Sequence, residues 1–224
     1  MKKFELTSEF VTFLGKKLFR IRALIEFGDV KAGELGGYIE KEENLDHDGD
    51  AWVYGDAKVC GDAKVCGDAW VYGNAWVCGD AKVCGDAKVC GDAKVCGDAW
   101  VYGNARVYGD AKVCGDAWVY GDAWVCGDAQ ISGNAWVCDD AEVCGNADYA
   151  YAHGFGSVNR TTTFFRLKDG GVGVRCGCFY GTLQEFRDKV RETHRETKKA
   201  KEYLMLADLM ELRFKEENED GKNN

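Results

Sequence analysis

The chain has 224 residues, twelve cysteines, no proline and a net charge of −9. The excess negative charge lies in residues 49–150, where 16 acidic residues accompany 7 basic ones, which argues against direct nucleic-acid binding by that segment. No apolar run is long enough for a signal peptide or a membrane span, so we expect a cytoplasmic protein (host cytoplasm if phage-encoded) with reduced thiols and no membrane contact.

Residues 1–48 are predicted to form a small N-terminal β cap. Apolar side chains alternate along a predicted strand at Phe19, Ile21, Ala23, Ile25 and Phe27. Gly15 and Lys16 can turn a preceding strand, Phe10 to Leu14, onto it. The segment thus predicts a short antiparallel hairpin.

Residues 49–150 consist of seventeen consecutive hexapeptides whose common pattern is Gly, Asp or Asn, Ala, variable, Val, then usually Cys or Tyr. Ala and Val alternate around the variable residue, as in a strand with one buried face. The Gly-Asp or Gly-Asn pair then predicts a corner. A corner every six residues leaves strands too short for hairpins, so we expect each strand to pair with the coils above and below it.

The V-x-G-D/N-A-x pattern resembles the hexapeptide repeat of left-handed parallel β-helices, the superfamily that contains trimeric acyltransferases. The resemblance implies an all-β solenoid, a left-handed triangular parallel β-helix with three hexapeptides per coil. The flanks, ELGGYIEKEENL (34–45) and TTFFRLKDGG…CGCFYGTLQEFRDKV (162–190), are similar to uncharacterised phage and prophage proteins of Gram-positive bacteria. That similarity implies an origin and no known activity.

Residues 151–214 are predicted to form a C-terminal α+β unit, a hairpin plus two helices, that caps the other end of the solenoid. The hairpin pairs residues 162–167 with residues 172–179. Thr182 and Glu185 make a capping box that opens a helix of about 13 residues. A second helix from about Lys198 to Phe214 carries one apolar stripe, and residues 215–224 read as a polar tail. The stripe comprises Tyr203, Leu206, Ala207 and Met210.

Side chains eighteen positions apart should stack in columns on three faces, the first beginning at Trp52, the second at Lys58 and the third at Lys64. All seven tryptophans occupy the outward variable slot. We predict two aromatic partner-binding strips; the alternative is an internal ladder of stacked rings, with cation–π contacts from Lys88 to Trp70 and from Arg106 to Trp124. The strips are Trp100, Tyr102, Trp118, Tyr120 and Trp136 on the third face, and Trp52, Tyr54, Trp70 and Tyr72 on the first.

Two further columns carry chemically distinct groups. An acidic edge is predicted from Asp62, Asp80, Asp98 and Asp116, either held by turn hydrogen bonds and lysines or able to bind cations or imitate a phosphate backbone. Thiols are predicted to stack at Cys60, Cys78, Cys96 and Cys114. A line of thiols lacks the convergence of a tetrahedral metal site, and the Cys176-x-Cys178 pair has only His194 as a distant candidate partner, so we predict no metal and no other cofactor.

These observations favour a non-catalytic rod of phage or prophage type that acts as a structural or protein-binding module, with self-association into a homo-oligomer as its simplest interaction. The first alternative is an acidic decoy that inhibits a host DNA-binding or defence protein. The second is a hexapeptide-repeat acyltransferase, which in the related family needs a histidine base and inserted loops. The repeat contains no histidine, because His47, His153 and His194 all lie outside it, and it contains no inserted loop. We therefore expect no catalytic residues.

Overall fold

The computed structural model describes residues 2–155 and 160–215. The chain divides into two compact units, residues 1–145 and residues 146–224. The first unit contains the N-terminal strands and the repeat, and the second contains a sheet and two helices.

The first unit begins with the predicted hairpin, which is longer than expected. Strand β1 (Phe4–Phe13) pairs antiparallel with β2 (Lys16–Ala23), and β2 pairs antiparallel with β3 (Leu35–Ile39). Strand β3 then pairs in parallel with the strand at Lys58, so the hairpin extends one sheet of the repeat. The predicted second strand ends early, at Ala23, and Phe27 lies in a separate bridge with Val30. A one-turn 3-10 helix (Glu42–Asn44) leads into the repeat.

The repeat folds as a three-sided parallel β-solenoid, as the hexapeptides predicted, and its left-handed winding stays a prediction. Sixteen two-residue strands pair in parallel with strands eighteen residues away in the neighbouring coils. The strands are β4 (Trp52–Val53), β5 (Lys58–Val59), β6 (Lys64–Val65), β7 (Trp70–Val71), β8 (Trp76–Val77), β9 (Lys82–Val83), β10 (Lys88–Val89), β11 (Lys94–Val95), β12 (Trp100–Val101), β13 (Arg106–Val107), β14 (Lys112–Val113), β15 (Trp118–Val119), β16 (Trp124–Val125), β17 (Gln130–Ile131), β18 (Trp136–Val137) and β19 (Glu142–Val143).

The three faces match the predicted columns. The first face is the sheet β4-β7-β10-β13-β16-β19, the second is β5-β8-β11-β14-β17 extended by β3, and the third is β6-β9-β12-β15-β18. Backbone bonds tie each coil to the next: the Lys94 N–H donates to Ala111 O at 2.9 Å and the Cys96 N–H to Val113 O at 2.9 Å. Every repeat Ala and Val from 51 to 143 is fully buried, so these side chains form the core.

Glycine is favoured at the corners for two reasons, although Asp139 takes its place at one of them with a φ of +56°. Gly61 has a φ of +75°, which disfavours residues with a Cβ. A Cβ at Gly61 would also lie 2.8 Å from the carbonyl oxygen of Gly79 in the next coil. Coil spacing and corner conformation therefore depend on the same residue type.

The seventeenth hexapeptide departs from the prediction. Tyr149 and Ala150 begin a long strand of the second unit, β20 (Tyr149–Phe155), instead of a seventeenth solenoid strand. Strands β20, β21 (Arg160–Arg166), β22 (Val172–Cys176) and β23 (Phe179–Thr182) form one antiparallel sheet in chain order. The predicted hairpin is β21 with β22, and a strand joins each of its edges.

Two helices follow the sheet as predicted. Helix α1 (Leu183–His194) begins at the Thr182 cap, whose side chain accepts from the Glu185 N–H, and the capping box is present. Helix α2 (Lys198–Phe214) has the predicted bounds and buries Tyr203, Ala207 and Met210. Of the predicted polar tail, residues 216–224 lie outside the described residues.

Candidate interaction surface

The third face carries the predicted aromatic strip as two stacked columns. The indoles of Trp100 and Trp118 stack with centroids 5.1 Å apart, and those of Trp118 and Trp136 with centroids 5.3 Å apart. Beside them the Tyr102 and Tyr120 rings stack at 5.0 Å. Tyr102 also meets Trp118 edge-on at 6.0 Å, which joins the two columns. We call these five residues the aromatic ladder.

The ladder presents ring edges outward, because its ring faces lie against one another. The ring planes of Trp100 and Trp118 differ by only 6°, and the Lys82 ammonium covers the indole of Trp100 at 4.3 Å from its centroid. All five ladder residues remain partly exposed. Ring edges are electropositive, and indole and phenol add N–H and O–H donors, so the surface suits an apolar partner that carries hydrogen-bond acceptors.

The predicted strip on the first face is wrong at its first residue. The Trp52 side chain is fully buried. Phe27 and Phe4 cover it, with ring centroids 5.3 and 6.2 Å from the indole. Both phenylalanines come from the N-terminal segment, so the outward slot at this coil faces the chain's own cap and not solvent.

Beyond Trp52 the first face places two cations, Lys88 and Arg106, between the indoles of Trp70 and Trp124. Trp70 packs edge-on against Tyr54 at 5.6 Å. The predicted cation–π contacts are confirmed: Lys88 lies 4.8 Å from the Trp70 centroid and Arg106 lies 5.3 Å from that of Trp124.

The two tyrosines of this strip both resist ionisation. Burial raises the pKa of Tyr54 to about 12. The hydrogen bond with Cys90, followed by burial, raises the pKa of Tyr72 to about 12. Both phenols therefore stay neutral donors over the physiological range.

The second face contains an aromatic contact that the repeat pattern did not predict. Phe13, near the end of β1, meets the edge of Trp76 at 4.5 Å. Lys94 lies over the same indole at 4.5 Å. The signal for this contact was the unpaired Trp76 in an otherwise polar column, which needed apolar cover from outside the repeat.

The acidic edge is present as a row of exposed corner carboxylates, and its members differ in their contacts. Asp62 forms an ion pair with Lys41 at 2.5 Å, which lowers the pKa of that carboxyl. Asp80, Asp98 and Asp116 are exposed, and the Asp80 N–H donates to Gly97 O in the next coil. No group of three or more His, Cys, Asp or Glu side chains among the described residues could hold a metal ion.

The predicted thiol column contains hydrogen-bonded neighbours. Cys78 bonds with Cys60 and Cys96, and the Cys60 pKa is lowered chiefly by the Cys78 bond. A second, parallel pair joins Cys66 and Cys84; the hydrogen bond from Cys84 lowers the pKa of Cys66 to about 7. Sequence reasoning placed these thiols in register and did not foresee their mutual bonds.

The expectation that all twelve thiols are reduced is wrong for one pair. Cys126 and Cys144 form a disulfide across adjacent coils of the first face, with Cα atoms 4.2 Å apart. The column register places them eighteen residues apart and makes the bond possible. The other ten cysteines form no disulfide.

The three histidines occupy separate environments. The His47 ring accepts from the Lys3 N–H through Nδ1 and pairs with Glu42 through Nε2. The His153 ring bonds the Thr161 hydroxyl. His194 stacks on Tyr203 at 5.7 Å in the second unit. Each ring is thus engaged in its own local structure.

Comparison with known proteins agrees with the solenoid. The family described as the YdcK beta solenoid repeat matches residues 99–112, which span parts of three hexapeptides. Among curated proteins no sequence matches the chain. In the described part of the chain, no helix is long and apolar enough to cross a membrane. Fold and match together identify a parallel β-solenoid repeat protein.

Proposed function

We propose that this chain is a non-catalytic, protein-binding rod and that the aromatic ladder is its contact surface. The observation that carries the proposal is the register of the ladder: five partly exposed aromatic side chains lie side by side across three coils of one flat face. Exposed aromatic area of this continuity is typical of protein interfaces.

Two other indoles in the outward slot are covered by side chains of the same chain, and this supports the proposal. At Trp52 and Trp76 the chain supplies its own aromatic cover from Phe27 and Phe13. The outward slot therefore receives apolar cover where the N-terminal segment reaches it. The ladder lies further along the solenoid, and its indoles keep part of their surface in solvent.

The test is a pull-down with a variant whose new residue already occurs at the same position of other hexapeptides, so that the solenoid should still fold. Lysine occupies the variable slot in six of the sixteen solenoid strands, so Trp118→Lys replaces one natural slot residue by another. Trp124→Lys on the first face is the matched control. We expect Trp118→Lys to lose the captured partner and Trp124→Lys to retain it. Equal capture by both variants would remove the ladder from the proposal.

An acidic decoy is the second candidate, and the exposed corner carboxylates favour it. Asp80, Asp98 and Asp116 repeat at one position per coil and are exposed. Binding through them should weaken steeply with ionic strength, whereas binding through indole and phenol rings should persist. The same pull-down at low and high salt separates the two functions. A role in a phage, motivated by the flanks, would be supported by a partner from a bacterial host.

A further inference from the structure

Helix α2 of the second unit has two apolar stripes, and only one is buried. The buried stripe packs into the core of the unit with α1 and the sheet and comprises Ala200, Tyr203, Ala207, Met210 and Phe214. On the opposite side Met205, Leu209 and Leu212 are 70%, 54% and 70% exposed. With 3.6 residues per turn these three side chains fall on one line along the helix.

Three adjacent, largely exposed apolar side chains need an explanation. Single exposed leucines are ordinary on protein surfaces, whereas a contiguous apolar stripe with charged residues beside it marks an interaction site. Glu202 precedes the stripe by one turn, and Arg213 follows directly after Leu212. On a helical projection Glu202 and Arg213 lie along the same side of the stripe, at its two ends.

We propose that this stripe binds the same stripe of a second copy of the chain, with the two α2 helices antiparallel. A twofold axis near residues 207–208 places Glu202 beside Arg213 of the partner subunit, and symmetry repeats the pair. In that register the Met205 and Leu209 side chains of the two copies interdigitate. A parallel twofold pair would instead turn the side that carries Glu202 and Arg213 towards the opposite side of the partner's stripe, so neither residue would meet the other, and charge favours the antiparallel arrangement.

The present contacts of both charged residues leave them able to exchange partners. Glu202 pairs with Lys198 at 3.6 Å, an exposed ion pair of small energy. Arg213 donates to the carbonyl oxygen of Asn146 at 3.1 Å and is exposed. The proposed dimer involves only the second unit and is independent of the aromatic ladder.

The first test is sedimentation of the full chain with Leu209→Glu. We expect the unaltered chain to sediment as a dimer and Leu209→Glu to sediment as a monomer, because the substitution places two like charges at the centre of the interface. Leu14→Glu, at the hairpin tip and 65% exposed, is the matched control and should remain dimeric. Circular dichroism should show that both variants are folded. A monomeric parent, or a Leu209→Glu variant that stays dimeric, would overturn the proposal.

Charge reversal tests the orientation. Arg213→Glu should weaken the dimer about tenfold, since two symmetry-related ion pairs become repulsive together. Adding Glu202→Arg should restore the affinity of the parent. A double variant no tighter than the single one would refute the antiparallel register. Trp118→Lys should leave the dimer intact, which separates this interface from the proposed function of the ladder.

Discussion

Trp100 and Trp118 stack face to face across adjacent coils, with centroids 5.1 Å apart and planes inclined by 6°. Trp136 stacks on the other side of Trp118 at 5.3 Å. The middle indole therefore contacts a ring on both faces and shows solvent its edge. Such a ring stabilises the solenoid as well as forming its surface, and the two roles are separable by measurement.

Trp118→Lys should lower the free energy of unfolding by about 1–2 kcal/mol. Two stacked pairs at about 0.5–1.5 kcal/mol each are lost, and the new lysine recovers about 0.5–1 kcal/mol by a cation–π contact like that of Lys82. Urea denaturation measures the change. Trp124→Lys, which loses the cation–π contact with Arg106, should cost less. If both variants lose the same free energy of unfolding, ring stacking in the aromatic ladder does not contribute to stability.

Two tryptophans in the same slot of the first face should respond differently to one substitution. Trp52 is 0% exposed beneath Phe27, whereas Trp70 is half-exposed. Trp52→Lys should cost about 3 kcal/mol or more, because it leaves a cavity and forces an ammonium under the cap. Trp70→Lys should cost roughly half of that or less. Comparable unfolding midpoints for the two variants would contradict the burial of Trp52.

The repeat made most of the first unit predictable. Because each coil holds three hexapeptides, the residue at the variable position of one coil lies beside the residue eighteen positions away in the next coil. The stacking of Trp100 on Trp118 is therefore predicted by their sequence separation alone. The bounds of α2 were predictable for a similarly local reason, since its apolar period runs from Lys198 to Phe214 without interruption.

The contacts that could not be predicted from the sequence involve segments outside the hexapeptide repeat. The slot of Trp52 is identical in pattern to that of Trp70, and only the path of residues 24–34 places Phe27 over one of them. The same holds for Phe13 against Trp76. In the seventeenth hexapeptide the pattern weakens at Tyr149, and pairing with Phe165 of β21 prevails over the solenoid register.

Lys3 is a buried lysine that should matter for the cap. Its Nζ donates to the carbonyl oxygens of Gly49 and Ala51 at 3.1 and 3.0 Å. Lys3→Met keeps the apolar stem and leaves both carbonyls without this donor, so it should cost about 1–3 kcal/mol in the free energy of unfolding. If the free energy of unfolding instead falls by much less than about 1 kcal/mol, water replaces the ammonium as the donor to both carbonyls.

The same lysine predicts a pH dependence. Burial lowers the pKa of Lys3 from its ordinary value of 10.5, although Asp46 and Asp50 oppose the shift. Between the lowered and the ordinary pKa the unfolded chain binds more protons than the folded one, so stability rises with pH there. The stability difference between the parent and Lys3→Met should therefore widen from neutral pH towards pH 10.5. If denaturation curves show that this stability difference narrows towards pH 10.5, the pKa of Lys3 is not lowered in the folded chain.

The disulfide between Cys126 and Cys144 predicts a definite thiol count. Titration of the denatured, unreduced chain should find ten thiols, and twelve after reduction. Because the bond closes a loop of 18 residues, Cys126→Ser should lower the free energy of unfolding by about 3 kcal/mol. Cys96→Ser, which removes a free thiol from another face, serves as the control. Twelve thiols before reduction would show that the pair is open.

Cys66 should be the thiol that ionises earliest in its pair. The hydrogen bond from Cys84 lowers the pKa of Cys66 to about 7, against opposition from burial and Asp46. Burial instead raises the pKa of Cys114. Since the thiolate is the nucleophile, iodoacetamide near pH 8 should alkylate Cys66 faster than Cys114, as peptide mass spectrometry can follow.

The donor can be tested directly by a matched pair of substitutions at Cys84. Cys84→Ala removes the hydrogen bond and should move the alkylation profile of Cys66 to higher pH, towards an ordinary thiol. Cys84→Ser keeps an O–H donor at the same place and should leave the profile near that of the parent. If the alanine and serine variants give the same profile, the low pKa of Cys66 has another source, and the lysines on either side of the pair, Lys64 and Lys82, become the next groups to replace.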